Sequence, residues 1–194
     1  MSVDKAEAQR AIAAFLRALG RDVERDPELV GTPERVVEAW ATEFVEGYDV
    51  NVAALLDAES SPVPEGPVGL VTVRGLSVST MCPHHLLPAR GTATVLYLPG
   101  PRVAGLGTLS RLVDAFAHRL TFQETITASV ARALVDHLGA RGAACRLSLV
   151  HGCLASRGER QDQAVVDTIA FAGSFETPGA DRELAQSVLS SASS

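Results

Sequence analysis

From Asp4 to Leu19 the apolar residues Ile12, Phe15, Leu16 and Leu19 recur at helical spacing, and Gly20 follows as a stop, which predicts an amphipathic helix. A second helix is predicted over "TPERVVEAWATEF", with Thr32 as cap, Pro33 at the first helical position and Val36, Val37, Trp40 and Phe44 as its buried stripe. Gly47 ends it. In "ESSPVPEGPVG" the periodicity gives way to Ser, Pro and Gly, so a linker is expected with a boundary near residue 66.

Beyond that boundary the period shortens. "VGLVTVRGLSVST" and "RGTATVLYLPG" are β-branched and partly alternating, which predicts two antiparallel strands joined by the intervening loop. Two helices follow, "LSRLVDAFAHRL" and "TFQETITASVARALVDHLG", the latter with Thr121 and Glu124 at capping-box spacing and Gly139 at its end. "AACRLSLVHGCLAS" and "AVVDTIAFAGSF" then predict a third and a fourth strand. The fold class is therefore α+β in the order ββααββ. It is read as an N-terminal helical arm and linker (1–66), a main domain (67–178), and a C-terminal helix and tail (179–194) in which "DRELAQSVLSSASS" starts as a helix and frays.

Composition narrows the function. With 194 residues, 46% hydrophobic and 21% charged, the chain has the profile of a globular domain with a real core. The net charge of -6 argues against nucleic-acid binding by bulk electrostatics, so an anionic ligand would need a locally basic pocket. No apolar run approaches a membrane span, and "MSVDKAEAQR" lacks the apolar centre of a secretory signal, so a cytoplasmic location is expected. Three Cys, an odd number, suit thiol or metal chemistry in a reducing compartment better than a disulfide framework.

Much of that chemistry is concentrated in two short segments. "TMCPHHLLP" carries Cys82, His84 and His85 around a proline turn, and "VHGC" carries His151 and Cys153 two apart, expected on one face of the third strand. A catalytic zinc keeps three protein ligands and one open position, an arrangement that Cys82, His85 and Cys153 fit, leaving His84 and His151 to move protons. From spacing alone a chance cluster also stands, since paired loop histidines are often surface residues and a strand Cys is often a small hydrophobe. Cys145 reads as core, and His118 and His137 as helix residues without a partner. Arg111, expected at a helix start, and Arg157, four residues after Cys153, are candidate phosphate ligands, though an arginine taken singly is more often a solvated face residue. Glu124 can be the capping-box partner or can accept from the N–H edge of a guanine-type base.

Taken together, "GTPERVVEAW", "TMCPHHLLP", "YLP", "QET" and "VHGCLASRG" resemble, in order and spacing, the GTP cyclohydrolase I family, from "GTPERVVEAW" to about residue 175. The resemblance implies the tunnelling fold, usually assembled as a homodecamer with active sites between subunits. It implies zinc on Cys82, His85 and Cys153, proton transfer by His84 and His151, Gln123 beside the purine, and Glu124 on its guanidine-like edge. Arg111, Arg157 and, from a neighbouring subunit, Arg35 would face the phosphates. The implied reaction opens the imidazole ring of GTP at C8, releases formate and gives 7,8-dihydroneopterin triphosphate, a step of pterin and tetrahydrofolate biosynthesis.

Departures from the family pattern cluster on the substrate side. Pro83 replaces a glutamate, Gly107 a serine, Thr108 a phosphate-facing lysine and Ala155 a further lysine; "QET" lacks an arginine, and "AVVDTIAF" is more apolar than usual. Loss of the lysine predicts a weaker hold on triphosphate, by about ten- to a hundredfold. Two rivals to the GTP reading follow. One is a paralogue acting on another purine nucleotide or nucleoside; the other is a non-catalytic purine- or pterin-binding subunit, which an open three-ligand zinc site argues against.

Overall fold

The computed structural model describes residues 3–63, 65–66 and 68–191. The expected boundary after Gly66 abuts Pro67, which lies outside the described residues, as do Pro64 of the linker and residues 192–194 of the tail.

The first helix, α1 (Lys5–Ala18), starts where the side chain of Asp4 accepts from the Glu7 amide at 2.9 Å. Its apolar stripe is not buried: Phe15 is 60% and Leu19 62% exposed, because one helix, α2 (Thr32–Ala39), is its main cover and does not span the stripe. In α2 the N-cap is Gly31, at φ 73°, and Thr32 is already helical, its hydroxyl accepting from Arg35 instead of capping. The helix runs on as a π-helical turn over Trp40–Phe44 and a 3-10 turn over Glu46–Asp49. A further helix, α3 (Val52–Ala58), was signalled by Asn51, whose side chain accepts from Ala54, but was not expected. It seats Leu56 in the main core with no exposure. Within the expected linker, β1 (Ser60–Pro62) pairs antiparallel with β4 (Arg102–Ala104).

Four strands form the principal sheet: β2 (Val71–Met81), β3 (Pro88–Leu98), β5 (Gly142–His151) and β6 (Val166–Gly173), antiparallel throughout in the order β2-β3-β5-β6. Between β3 and β5 the chain adds α4 (Leu106–Ala117) and α5 (Gln123–Asp136), so the ββααββ order holds. The β2–β3 register slips between Val73 and Leu76, a bulge built on Gly75, whose φ of 72° suits glycine.

Alternation then decides what each face covers. Ala93, Val95 and Tyr97 of β3 with Cys145, Leu147 and Leu149 of β5 meet Leu109, Leu112 and Val113 of α4 and Ile126, Val130 and Leu134 of α5 in one core. Leu96, Leu98 and Ala144 point the other way, where Phe175 and the C-terminal helix α7 (Ala180–Ser190) cover them through Ala185 and Leu189. Arg74 and Arg146 donate to the carbonyls of Val188 and Leu189, fastening the end of α7 to the sheet. Among the described residues no helix is long and apolar enough to cross a membrane.

Three expectations fail where tertiary contacts override local signals. α4 begins three residues before the expected Leu109, which moves Arg111 into the second turn, away from the helix start. The capping box at α5 does not form: the N-cap is Phe122, no side chain caps it, and the helix start is held by Gln123 reaching the sheet. Finally, β5 stops at His151, and Cys153 sits on a one-turn helix, α6 (Gly152–Ala155), not on the strand. Gly152 permits this turn, since a Cβ there would lie 2.7 Å from the Pro88 carbonyl oxygen.

Candidate metal centre and active site

The loop from β2 to β3 closes on itself. The Cys82 amide donates to the Leu87 carbonyl and the Leu86 amide to the Cys82 carbonyl, each at 2.9 Å, with Leu86 at φ 53°. This turn brings Cys82 Sγ to 3.9 Å from His85 Nδ1. Because β3 pairs with β5, with Ala89 opposite His151, the turn at Gly152 delivers Cys153 to the same place. Donor atoms of Cys82, His85 and Cys153 all lie within 4.8 Å of one another. Tetrahedral zinc with ordinary bond lengths would set sulfur and nitrogen donors about 3.6 Å apart and two sulfurs about 3.8 Å apart, so small side-chain movements suffice.

The electrostatics point the same way. The Cys153 thiol is pushed above its ordinary value, first by burial and then by the adjacent Cys82, with Arg157 acting in the opposite direction. Two thiolates this close disfavour each other unless a cation sits between them, and a dithiolate–imidazole set suits a borderline-soft dication. Cys145 is different: fully buried in the core, its thiol is pushed up to about 12, so it packs as a hydrophobe.

Beside these three candidate ligands lies a cavity of about 290 Å³, lined among others by Cys82, His84, Gln123, Glu124, His151 and Cys153. That is the low end of small-molecule sites. His85 turns instead toward a larger apolar cavity of about 850 Å³ beneath α1 and α2, which His84 also borders. Buried Gln123 organises the smaller one. Its amide nitrogen donates to the carbonyls of Leu147 at 3.1 Å and Val166 at 2.9 Å, so its Oε1 faces His151 Nε2, 2.7 Å away. An acceptor there requires the proton of a neutral His151 to be on Nε2, leaving Nδ1 as the ring's one acceptor. Burial lowers the His151 pKa, opposed by the nearby charge of Glu124.

His84 is exposed at the rim, its ring 5.2 Å from that of Phe122, which is itself 51% exposed and lines the cavity. Sequence reasoning passed over Phe122, because an aromatic inside an expected capping box reads as packing.

The phosphate-side candidates do not gather here. Arg157 is exposed on the segment after α6, near enough to act on Cys153. Arg35 donates to the Thr32 hydroxyl on α2. Arg111 lines a separate cavity with Glu46, Asp114 and His118, and pairs with Glu59. Thr108 is 2% exposed, its hydroxyl turned to Glu59 Oε2 at 2.8 Å. No feature of the sequence marked Glu59. His118, expected to lack a partner, has two: Nδ1 lies 2.5 Å from Glu46 Oε1, and Nε2 lies 3.9 Å from Asp114. Burial raises the Asp114 pKa, His118 lowers it and Glu46 raises it.

Comparison with known proteins adds an independent line. A family profile described as GTP cyclohydrolase I matches residues 8–190. A GTP cyclohydrolase 1 of Chromobacterium violaceum is 44% identical over 175 residues, covering 90% of this chain and 82% of the relative. One from Leifsonia xyli subsp. xyli is 41% identical over 181 residues, 93% of each chain.

Proposed function

The chain belongs to the GTP cyclohydrolase I family, and from that premise we propose that Cys82, His85 and Cys153 hold zinc beside a pocket in which His84, His151 and Glu124 act on the guanine ring of GTP. The activity is that of a GTP cyclohydrolase I: hydrolytic opening of the imidazole ring at C8, release of formate, and closure to 7,8-dihydroneopterin triphosphate. The relatives lend no support to another purine substrate or to a non-catalytic subunit.

One observation carries the assignment of residues: the donor atoms of Cys82, His85 and Cys153 lie within 4.8 Å of one another, and the two cysteines of that group line the cavity that also holds two further histidines and a carboxylate. Zinc bound there would supply a Lewis acid that brings the ionisation of water toward neutral pH. This chain's own residues do the rest. His151, its Nε2 proton engaged by Gln123, offers Nδ1 as a base of fixed tautomer, and its lowered pKa keeps it neutral at pH 7. His84, exposed on the rim of the cavity, is the second proton carrier in this reading. Glu124, exposed at the first turn of α5, accepts from the two-donor edge of guanine. Gln123 touches the pocket but chiefly positions His151.

The triphosphate is bound, in this reading, by Arg157 together with Arg111 and Arg35, the last two contributed by another copy of the chain, while buried Thr108 stays turned to Glu59. Their separation from the cavity within one chain supports a shared site, and so does the uncovered apolar face of α1. A homodecamer that also pairs the open edges of β2 and β6 would satisfy both. The reading is tested by incubating zinc-loaded protein with GTP, GDP, GMP and guanosine while following formate and pterin fluorescence. Formate from GTP alone, at one equivalent per pterin, is expected; turnover of guanosine in preference to GTP would overturn it.

A further inference from the structure

Glu59 is held from two sides. It follows α3 as the C-cap, and its carbonyl accepts from the Gly105 amide at 3.0 Å, with the Thr108 hydroxyl 3.3 Å away. Its carboxylate meets that same hydroxyl at 2.8 Å and accepts from the guanidinium of Arg111. The Arg111 side chain is 58% exposed and that of Glu59 31%, so one edge of the guanidinium is neutralised while the rest is open.

We infer that Glu59 is a specificity-determining carboxylate for the phosphate end of the substrate, stationed by Thr108 so that its charge weakens the hold of Arg111 on a polyanion. The inference rests on the reading that Arg111 faces phosphate. An exposed ion pair is weak, so phosphate can displace the carboxylate from the guanidinium. The charge cannot leave with it, because Thr108 and the Gly105 amide keep Glu59 within reach. It then repels the incoming phosphates, and the repulsion grows with their number. Thr108 is central to this: a hydroxyl orients the carboxylate without neutralising it, whereas an ammonium at the same position would pair with it.

The test uses the full chain in four forms: unchanged, Glu59→Gln, Arg111→Ala, and Glu59→Ser, whose side chain is too short to reach Arg111. Binding of inorganic tripolyphosphate is measured by calorimetry and KM for GTP by pterin fluorescence, at low and high salt. Glu59→Gln is expected to tighten tripolyphosphate and lower KM by about three- to tenfold with kcat unchanged. Pyrophosphate should gain less, and the effect should shrink as salt shortens the screening length, which a purely structural role would not produce. If Arg111→Ala weakens tripolyphosphate while both Glu59 variants leave it unchanged or weaker, the inference is wrong and the placement of Arg111 stands. If Arg111→Ala alters neither constant, that placement fails and the role of Glu59 falls with it.

Discussion

His151 Nε2 and Gln123 Oε1 lie 2.7 Å apart, and the amide nitrogen of Gln123 is already committed to the carbonyls of Leu147 and Val166. One side chain thereby joins α5, β5 and β6 and fixes which nitrogen of a pocket histidine bears the proton. Gln123→Leu, similar in volume, should take this donor from the carbonyls of Leu147 and Val166 and leave His151 free to change tautomer. Urea unfolding is expected to show a loss of about 1–3 kcal/mol. The kcat should fall by about a hundredfold with KM little changed. A stability loss with unaltered kcat would show that the contact is structural only.

Metal content is the direct check on the ligand set. Cys153→Ala removes one of the three donors, and the purified variant is expected to lose its zinc and its activity together. Cys145→Ala, in the core, should keep both. A full equivalent of zinc in Cys153→Ala, by atomic emission, would mean that the ligands lie elsewhere.

Acid sensitivity should trace in part to the outer face of the sheet. Asp167 is held below the usual carboxylate range, first by its hydrogen bond from Arg146 and then by the Ser148 hydroxyl. As pH falls, the unfolded chain takes up its proton first, so this contribution is complete above the ordinary Asp value near 3.8 and is lost as pH drops from there through the folded value. Denaturant midpoints between pH 6 and 3 should therefore fall less steeply for Asp167→Asn than for the unchanged protein. Parallel curves would show that the pair adds nothing.

Assembly can be read from mass. Light scattering at micromolar concentration is expected to give a large multiple of 20.4 kDa. Phe15→Glu, placing a charge on the uncovered face of α1, should shift the distribution toward smaller species and lower activity in proportion. A monomer that turns over GTP at full rate would remove the shared site.

How much of this was legible without coordinates follows from the range of each signal. Hydrophobic period is local, so α1, α4, α5, the four sheet strands and α7 could all be read from the chain, and the spacing within "TMCPHHLLP" and "VHGC" offered Cys82, His85 and Cys153 as a candidate ligand set with a chance cluster still open. Where a terminus or a partner depended on residues far along the chain, the sequence was silent. α5 starts at Gln123 because strand carbonyls hold it, not because Thr121 and Glu124 cap it. Cys153 reaches Cys82 and His85 because Gly152 can turn against Pro88, not because a strand alternates. Thr108 and Arg111 face Glu59 because β1 pairs with β4, which carries residue 59 onto α4. Sequence determined which side chains could do chemistry, since donor type and spacing are properties of the chain; the tertiary structure alone decided which of them meet, because side-chain hydrogen bonds and ion pairs reach only a few ångströms across gaps that only the fold can close.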